Sequence, residues 1–520
     1  MRVHDYLDWH AREHPDDGFA VFGDQALSYS EAAIEANRIA RAFEEAGIGP
    51  GERVAVLAQN SIDYVLLYFG AFKAGVVLVP LNYRLAPPEW SYIVNDAGAK
   101  LLLADPPFTS GIDEIRDQLG SVDRFIEIGG TAGPGWEKLA DLLGDSAATP
   151  PERVISEDDD LYQMYTSGTT GRPKGAVLTH RAVTANLHQL GPLFNLGPGD
   201  RYLIVAPLYH AAAGVATLAC VAAGGTIVIQ QDFDPQAVVK ALSEERIAGT
   251  TLVPAMIQAC LVFVPDVAER SYDELRFIIY GASPIAEPTL RRAIEVFGCG
   301  FMQGYGMTET TAALTWLPAA AHDRAISGEK PELLLSCGRP LLGTELRIVD
   351  DQDRPVPNGT IGQIIARGPQ LMRGYWNLAE ATAEALAGGW MHTGDAATMD
   401  DEGFVYIQDR VKDMIVSGGE NVYPREIEDV LFQHPAVADA AVIGVPDESW
   451  GETVKAIVVL KEGESAAADE LVEYCRGKLA GFKRPRSVDF IEALPRNPSG
   501  KVLKKELREP YWKGHDRRVS

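Results

Sequence analysis

Helix and strand signals alternate along most of this chain, and a chain that switches repeatedly between those two periods can bury both only as stacked layers. Ser28 and Glu31 form a capping box that should start a helix running to about Gly47. Residues 54–57 read as a buried strand, and 76–79 as another beyond an intervening helix. The rhythm resumes with a helix from His180, a strand at 202–205, a helix near 213–223, a strand at 226–229 and a helix at 235–245. Such a sequence implies an α/β fold: a large N-terminal domain with largely parallel sheets. The stretch 203–229 carries no formal charge and is long enough to cross a bilayer. Pro207 and the Gly224-Gly225 pair divide it, so it reads as strand, helix, strand of a soluble core.

At 520 residues, 46% hydrophobic and 23% charged, the chain can build a large core and more than one domain. A net charge of -26 argues against general binding to nucleic acid or to anionic membranes. Cys220, Cys260, Cys299, Cys337 and Cys475 are odd in number and widely spaced, which indicates neither a disulfide framework nor a zinc site. With no hydrophobic leader in residues 1–15 and no transmembrane segment, a cytoplasmic protein is expected.

The densest chemistry lies in Tyr-Thr-Ser-Gly-Thr-Thr-Gly-Arg-Pro-Lys-Gly at 165–175. Its glycines allow tight turns with exposed N–H groups, Thr166, Ser167, Thr169 and Thr170 offer hydroxyls, and Arg172 and Lys174 bring positive charge, a mixture suited to a polyphosphate. It differs from the common P-loop, because Lys174 follows Pro173 and precedes Gly175, where a metal-binding hydroxyl would be needed. Two further segments follow strand signals: Tyr280-Gly281-Ala282-Ser283-Pro284, and Gln303-Gly304-Tyr305-Gly306-Met307-Thr308-Glu309. Ligand sites in open α/β sheets gather beyond the carboxyl ends of strands.

With these motifs the chain resembles the adenylate-forming superfamily of acyl-CoA synthetases, adenylation domains and luciferases, in the acyl-CoA synthetase branch. The resemblance implies that Thr166, Ser167, Gly168, Thr169, Thr170 and Lys174 hold the phosphates of ATP, and that Gly281, Ala282, Ser283, Gln303, Gly304, Tyr305 and Gly306 form the adenine pocket, with Tyr305 against the base. It further implies that Thr308 bonds the α-phosphate, Glu309 binds Mg2+, Asp395 takes the ribose hydroxyls and Arg410 makes a second nucleotide contact. Lys501, on the turn Pro495 to Lys501, resembles the adenylating lysine; Thr166, Glu309 and His210 join it as catalytic candidates. Beyond residue 411 the signals become short and mixed: a helix between Pro424 and Pro435, strands at 440–445 and 454–460, and a helix near 469–479. Domains are therefore expected at 1–411 and 412–520, the second a small α+β domain; the resemblance implies that this domain is mobile and hinged at Lys412, with Gly418 and Gly419 along a tunnel for coenzyme A.

The implied reaction activates a carboxylic acid with ATP and passes the acyl group to a thiol. No carrier-protein segment is evident and the chain ends soon after Lys501, which favours free coenzyme A as acceptor. The acyl pocket is expected from Tyr209, His210, Ala213, Gly214, Tyr280, Met302, Ala312 and Ala313. These are apolar and small, with no carboxylate to greet an ammonium, so a fatty acid is favoured, with an aryl or aryl-propenoic acid as the alternative. A carrier-loading enzyme, or a regulator that binds nucleotide without turnover, ranks lower, since Lys501, Glu309 and Asp395 are all present. A homodimer is a further expectation.

Overall fold

The structure is a computed structural model and describes residues 1–166, 172–283, 285–410, 413–417, 420–447, 450–476, 478–496 and 502–513, without the side chains of Arg410 and Asn421. Within these residues the strands form four sheets. One runs in the order Arg339–Pro340, Thr315–Leu317, Gly300–Tyr305, Phe277–Gly281, Ile247–Leu252, Arg201–Ile204, Thr226–Ile229, Gly18–Phe22, Gln25–Ser28. Its central pairs are parallel, as the alternation with helices requires. The second runs Gly374–Tyr375, Lys174–Thr179, Asp160–Thr166, Val77–Pro80, Arg53–Leu57, Leu101–Ala104, Arg124–Glu127, Glu137–Lys138. Its interior is parallel, and an antiparallel hairpin closes one edge.

A shared core joins the two sheets, and the helix Ile62–Ala74 lies within it with every residue but Asp63 buried. The helix Tyr29–Glu45 packs on it, started as expected by the reciprocal bonds of Ser28 and Glu31. The uncharged stretch resolves into Arg201–Ile204, helix Ala211–Ala222 and Thr226–Ile229, with the two strands parallel neighbours. No helix among the described residues is long and apolar enough to cross a membrane.

A third, antiparallel sheet follows, Glu345–Val349, Gly362–Arg367, Met391–Met399 and Val405–Arg410. The fourth comprises Glu420–Val422, Ile415–Ser417, Gly451–Leu460, Val437–Asp447 and Ser487–Phe490. The strands flanking the expected hinge thus belong to different sheets, while Lys412 itself lies outside the described residues. The helix expected near 469–479 is shorter, Ala468–Tyr474, because the chain turns at Cys475, whose side chain is buried, ahead of the poor helix former Gly477.

Candidate active site

The hydroxyl-rich loop joins the strands Asp160–Thr166 and Lys174–Thr179, in register so that Thr166 faces Lys174. Ser167, Gly168, Thr169 and Thr170 lie outside the described residues. A buried polar chain secures the hairpin root: Arg53 Nε donates to Gln163 Oε1 at 3.0 Å, Gln163 Nε2 to Tyr165 Oη at 2.9 Å, and Tyr165 Oη to Asp96 Oδ2 at 2.6 Å. Burial, reinforced by Asp96, holds the Tyr165 phenol well above its ordinary pKa. On the outer side the Arg172 guanidinium sits 5.1 Å from the Tyr92 ring centroid, and Tyr92 Oη donates to Pro173 O at 3.2 Å.

The two other loop segments lie side by side at the ends of adjacent parallel strands, with Gly281 opposite Gly304. A side chain at Gly281 would put its Cβ 2.3 Å from Gly304 O, and one at Gly306 would put it 2.3 Å from Ala312 O, so both positions require glycine for close backbone approach. Ala282 adopts φ 65°, uncommon for a residue with a Cβ, and so marks a constrained turn; Ser283 follows it half-buried. Gln303, Gly304 and Tyr305 end the strand Gly300–Tyr305, and Thr308 opens a single 3-10 turn, Thr308–Thr310.

That turn carries Glu309, 5% exposed, whose Oε1 accepts from Tyr375 Oη at 2.8 Å. Lys174 Nζ lies 4.9 Å from the centroid of the same Tyr375 ring. Tyr305 Oη donates to Asp395 Oδ2 at 2.7 Å, although 90 residues separate them. The Tyr305 phenol is held far above its usual pKa, by burial first and then by Asp395. Thr393 Oγ1 donates to Ile364 O at 2.9 Å and accepts from Asp395 N at 3.1 Å, which fixes the part of the strand Met391–Met399 that bears that carboxylate. Arg410 stands opposite Asp395 in the neighbouring strand. The structure therefore links Lys174 and Glu309 through Tyr375 and pairs Tyr305 with Asp395, whereas Lys412, Gly418, Gly419 and Lys501 lie outside the described residues.

Among the acyl-pocket candidates, Met302 and Ala313 belong to the core between the sheets, with Ala312 packed against it. Ala213 is buried in helix Ala211–Ala222, and an added Cβ at Gly214 would meet Tyr68 Oη at 3.6 Å and Met164 Cε at 3.8 Å. His210 is the N-cap of this helix, its Nδ1 accepting from Ala212 N at 3.3 Å, and burial lowers its pKa below the ordinary value. Tyr209 packs edge-on against Tyr83 at 5.4 Å, and burial pushes its phenol up to about 12.

Tyr280 stands apart from the other acyl-pocket candidates. It points to the opposite face of its sheet from Ile279 and Met302, into a separate core, fully buried with its Oη 2.9 Å from His322 Nε2. The period-2 alternation of the strand Phe277–Gly281 puts it there, away from the residues expected to line the pocket with it. His322 Nδ1 sits 3.1 Å from Pro318 O, which can only accept, so the ring carries its proton on Nδ1 and Nε2 accepts from Tyr280.

Sequence reasoning missed Tyr375, which reaches Glu309, and Trp376, which stacks under Arg53 at 3.5 Å and whose N donates to Gly175 O at 2.8 Å. The adjacent aromatic pair after Arg373-Gly374 is the signal that could have found them.

The AMP-binding enzyme family model matches residues 7–376, and the AMP-binding enzyme C-terminal domain model matches 426–501. A feruloyl-CoA synthase of an Amycolatopsis species is 39% identical over 502 residues, 96% of this chain and 97% of that protein. A long-chain-fatty-acid–CoA ligase of Mycobacterium tuberculosis is 39% identical over 495 residues, 94% of each chain. The ATP-bound crystal structure of MatB from Rhodopseudomonas palustris superposes with a TM-score of 0.89 at 30% identity, covering 99% of this chain and 100% of that one. The chain belongs to the AMP-binding enzyme family, in its AMP-forming acyl-CoA synthetase branch.

Proposed function

We propose that this protein joins a hydrophobic carboxylic acid, a fatty acid by preference, to coenzyme A. The acid's carboxylate attacks the α-phosphorus of ATP, forming an acyl adenylate and expelling pyrophosphate; the thiol then attacks the acyl carbon and AMP departs. The observation that carries this reading is the pair of linkages Lys174–Tyr375–Glu309 and Tyr305–Asp395, with Tyr305 and Glu309 on one short segment of the chain. In it Asp395 accepts from the ribose hydroxyls, Tyr305 flanks the base, and Lys174 with the hairpin hydroxyls and Thr308 holds the phosphates. Lys501 neutralises charge that develops as the two anions meet, the electrostatic logic of phosphoryl transfer.

One buried carboxylate with a phenol on one oxygen fits Mg2+, a hard cation that keeps waters and takes its other ligands from phosphates. Glu309 would hold it, and the cation would supply charge neutralisation on the phosphate oxygens. For the second half-reaction we assign Lys412 as hinge between 1–411 and 412–520, Gly418 and Gly419 to the pantetheine path, and neutral His210 to the passage between acyl and thiol sites.

The small apolar residues Ala213, Gly214, Met302, Ala312 and Ala313 support a fatty acid, and the likeness to a feruloyl-CoA synthase supports an aryl-propenoic acid as the second reading. Incubation with ATP, Mg2+, coenzyme A and a panel of fatty, aryl-propenoic and amino acids, with mass detection of thioesters, tests both. Thioesters of medium or long fatty acids are expected. Absence of pyrophosphate release with every acid would refute the enzyme.

A further inference from the structure

Tyr375 stands where two parts of the proposed nucleotide site meet. Its backbone forms the short strand Gly374–Tyr375, paired antiparallel with Lys174–Thr179, so the residue is fixed relative to the hairpin. Its hydroxyl donates to Glu309 Oε1 at 2.8 Å while its ring lies 4.9 Å from Lys174 Nζ. The same segment grips Glu309 twice, because Met372 N donates to the backbone oxygen of Glu309 at 2.8 Å. Trp376 pins the segment elsewhere, with Arg53 over its ring at 3.5 Å and its Nε1 donating to Asp96 O at 3.1 Å.

A carboxylate can rotate to offer either oxygen, and a hydrogen bond to one of them fixes the direction in which the other is presented. Among the described residues no group of three or more His, Cys, Asp or Glu side chains forms a ready metal cage. A single carboxylate must then be well aimed to select a cation that arrives on a polyphosphate. An ammonium seated on an aromatic face is likewise confined without being neutralised.

We propose that Tyr375 is a positioning residue with two tasks: its hydroxyl aims the Glu309 carboxylate at the magnesium of MgATP, and its ring seats Lys174 toward the phosphates. This rests on the reading that Glu309 holds the cation.

Calorimetric titration of the full chain with ATP, repeated across a range of Mg2+ concentrations, tests each task without turnover. Tyr375→Phe keeps the ring and loses the hydroxyl. It should leave metal-free ATP affinity within about twofold of the parent and raise the Mg2+ concentration for half-maximal enhancement about tenfold. Tyr375→Leu should in addition weaken metal-free ATP binding about two- to fivefold; if that chain does not fold, Lys174→Met makes the same comparison from the other partner. Glu309→Gln should abolish the enhancement by Mg2+. An unchanged Mg2+ dependence in Tyr375→Phe, beside a lost one in Glu309→Gln, overturns the aiming role and leaves the metal reading standing. If Glu309→Gln also changes nothing, the metal reading falls and the aiming role with it. Metal-free ATP affinity equal to the parent's in Tyr375→Leu or Lys174→Met overturns the seating role.

Discussion

Single charged groups carry the expected chemistry, and their removal should separate binding from rate. Lys501→Ala should depress adenylation by about 3 kcal/mol in the transition state, a factor somewhat over a hundred, as for loss of one oxyanion donor. It should leave thioester formation from supplied acyl adenylate far less affected; single-turnover assays of each half-reaction check this, and equal losses would reject the assignment. Asp395→Ala should weaken ATP binding and leave the fold intact, because the carboxylate is half-buried on the strand Met391–Met399, outside the apolar core; the thermal midpoint should fall only by what the lost bond from Tyr305 Oη costs. Unchanged affinity by calorimetry would leave Thr393 to Asp395 a purely structural part of their strand. Both roles can be proposed from the sequence because the chemistry they rest on is local to a short motif. That of Tyr375 cannot, since its meaning depends on Glu309, 66 positions away.

At the level of elements, Gly281 at the end of its strand and Gly306 just beyond the neighbouring one leave no space for a methyl group, since the nearest atoms at 2.3 Å are backbone oxygens, of Gly304 and Ala312, that cannot rotate aside. Gly281→Ala and Gly306→Ala should each cost about 1–3 kcal/mol by overpacking, read as a lower midpoint in denaturant together with weaker ATP binding. Gly214 differs, because its Cβ would find ordinary contacts at 3.6 to 3.8 Å in the middle of helix Ala211–Ala222. Gly214→Ala should therefore stabilise the fold by about 0.5–1 kcal/mol through helix propensity while narrowing the acid preference toward smaller chains. A stabilised variant with an unaltered ranking of acids would remove this helix from the pocket wall. Caps and periods made most of these elements readable in advance; the shortened helix Ala468–Tyr474 shows the limit, set by packing at Cys475.

Across the whole molecule, the N-terminal helix His4–Glu13 docks through histidines: His4 and His180 meet ring to ring at 5.5 Å, and burial pushes each down to about 3. His180, Arg2 and Lys73 disfavour a charge on His4 and Asp5 favours one, while Arg2 and the N-terminal amine disfavour a charge on His180 and Asp5 again favours it. Unfolded, both titrate near 6.5, so below that pH the unfolded chain binds protons that the folded one refuses. Stability is untouched above about pH 6.5 and falls toward pH 3 by up to roughly 1.4 kcal/mol per pH unit for each histidine. Urea titrations of parent and His180→Gln at pH 7, 6 and 5 isolate the histidine contribution from that of the half-buried Asp105 and Asp429, which runs the other way; the variant should lose less stability than the parent on acidification, and identical profiles would contradict the burial. Near the other end, Lys504 Nζ bridges Asp409 at 3.0 Å and Glu428 at 2.9 Å. Lys504→Ala leaves those carboxylates buried without it and should cost about 3–5 kcal/mol, visible as faster hydrogen exchange in helix Pro424–Phe432; unchanged protection would show that the bridge contributes nothing. The sequence by itself determined the alternation of elements, the helix starts and the hydroxyl- and glycine-rich make-up of residues 165–175 on which the proposal of phosphate binding rests, because propensity, capping and side-chain type act over a few residues. Only the tertiary structure decided the order of the strands, the face Tyr280 occupies, and the joining of Asp96 to Tyr165, Tyr305 to Asp395 and Tyr375 to Glu309. Those pairings follow from which strands lie side by side, and sheet order is set by the packing of the whole core, which no local period encodes.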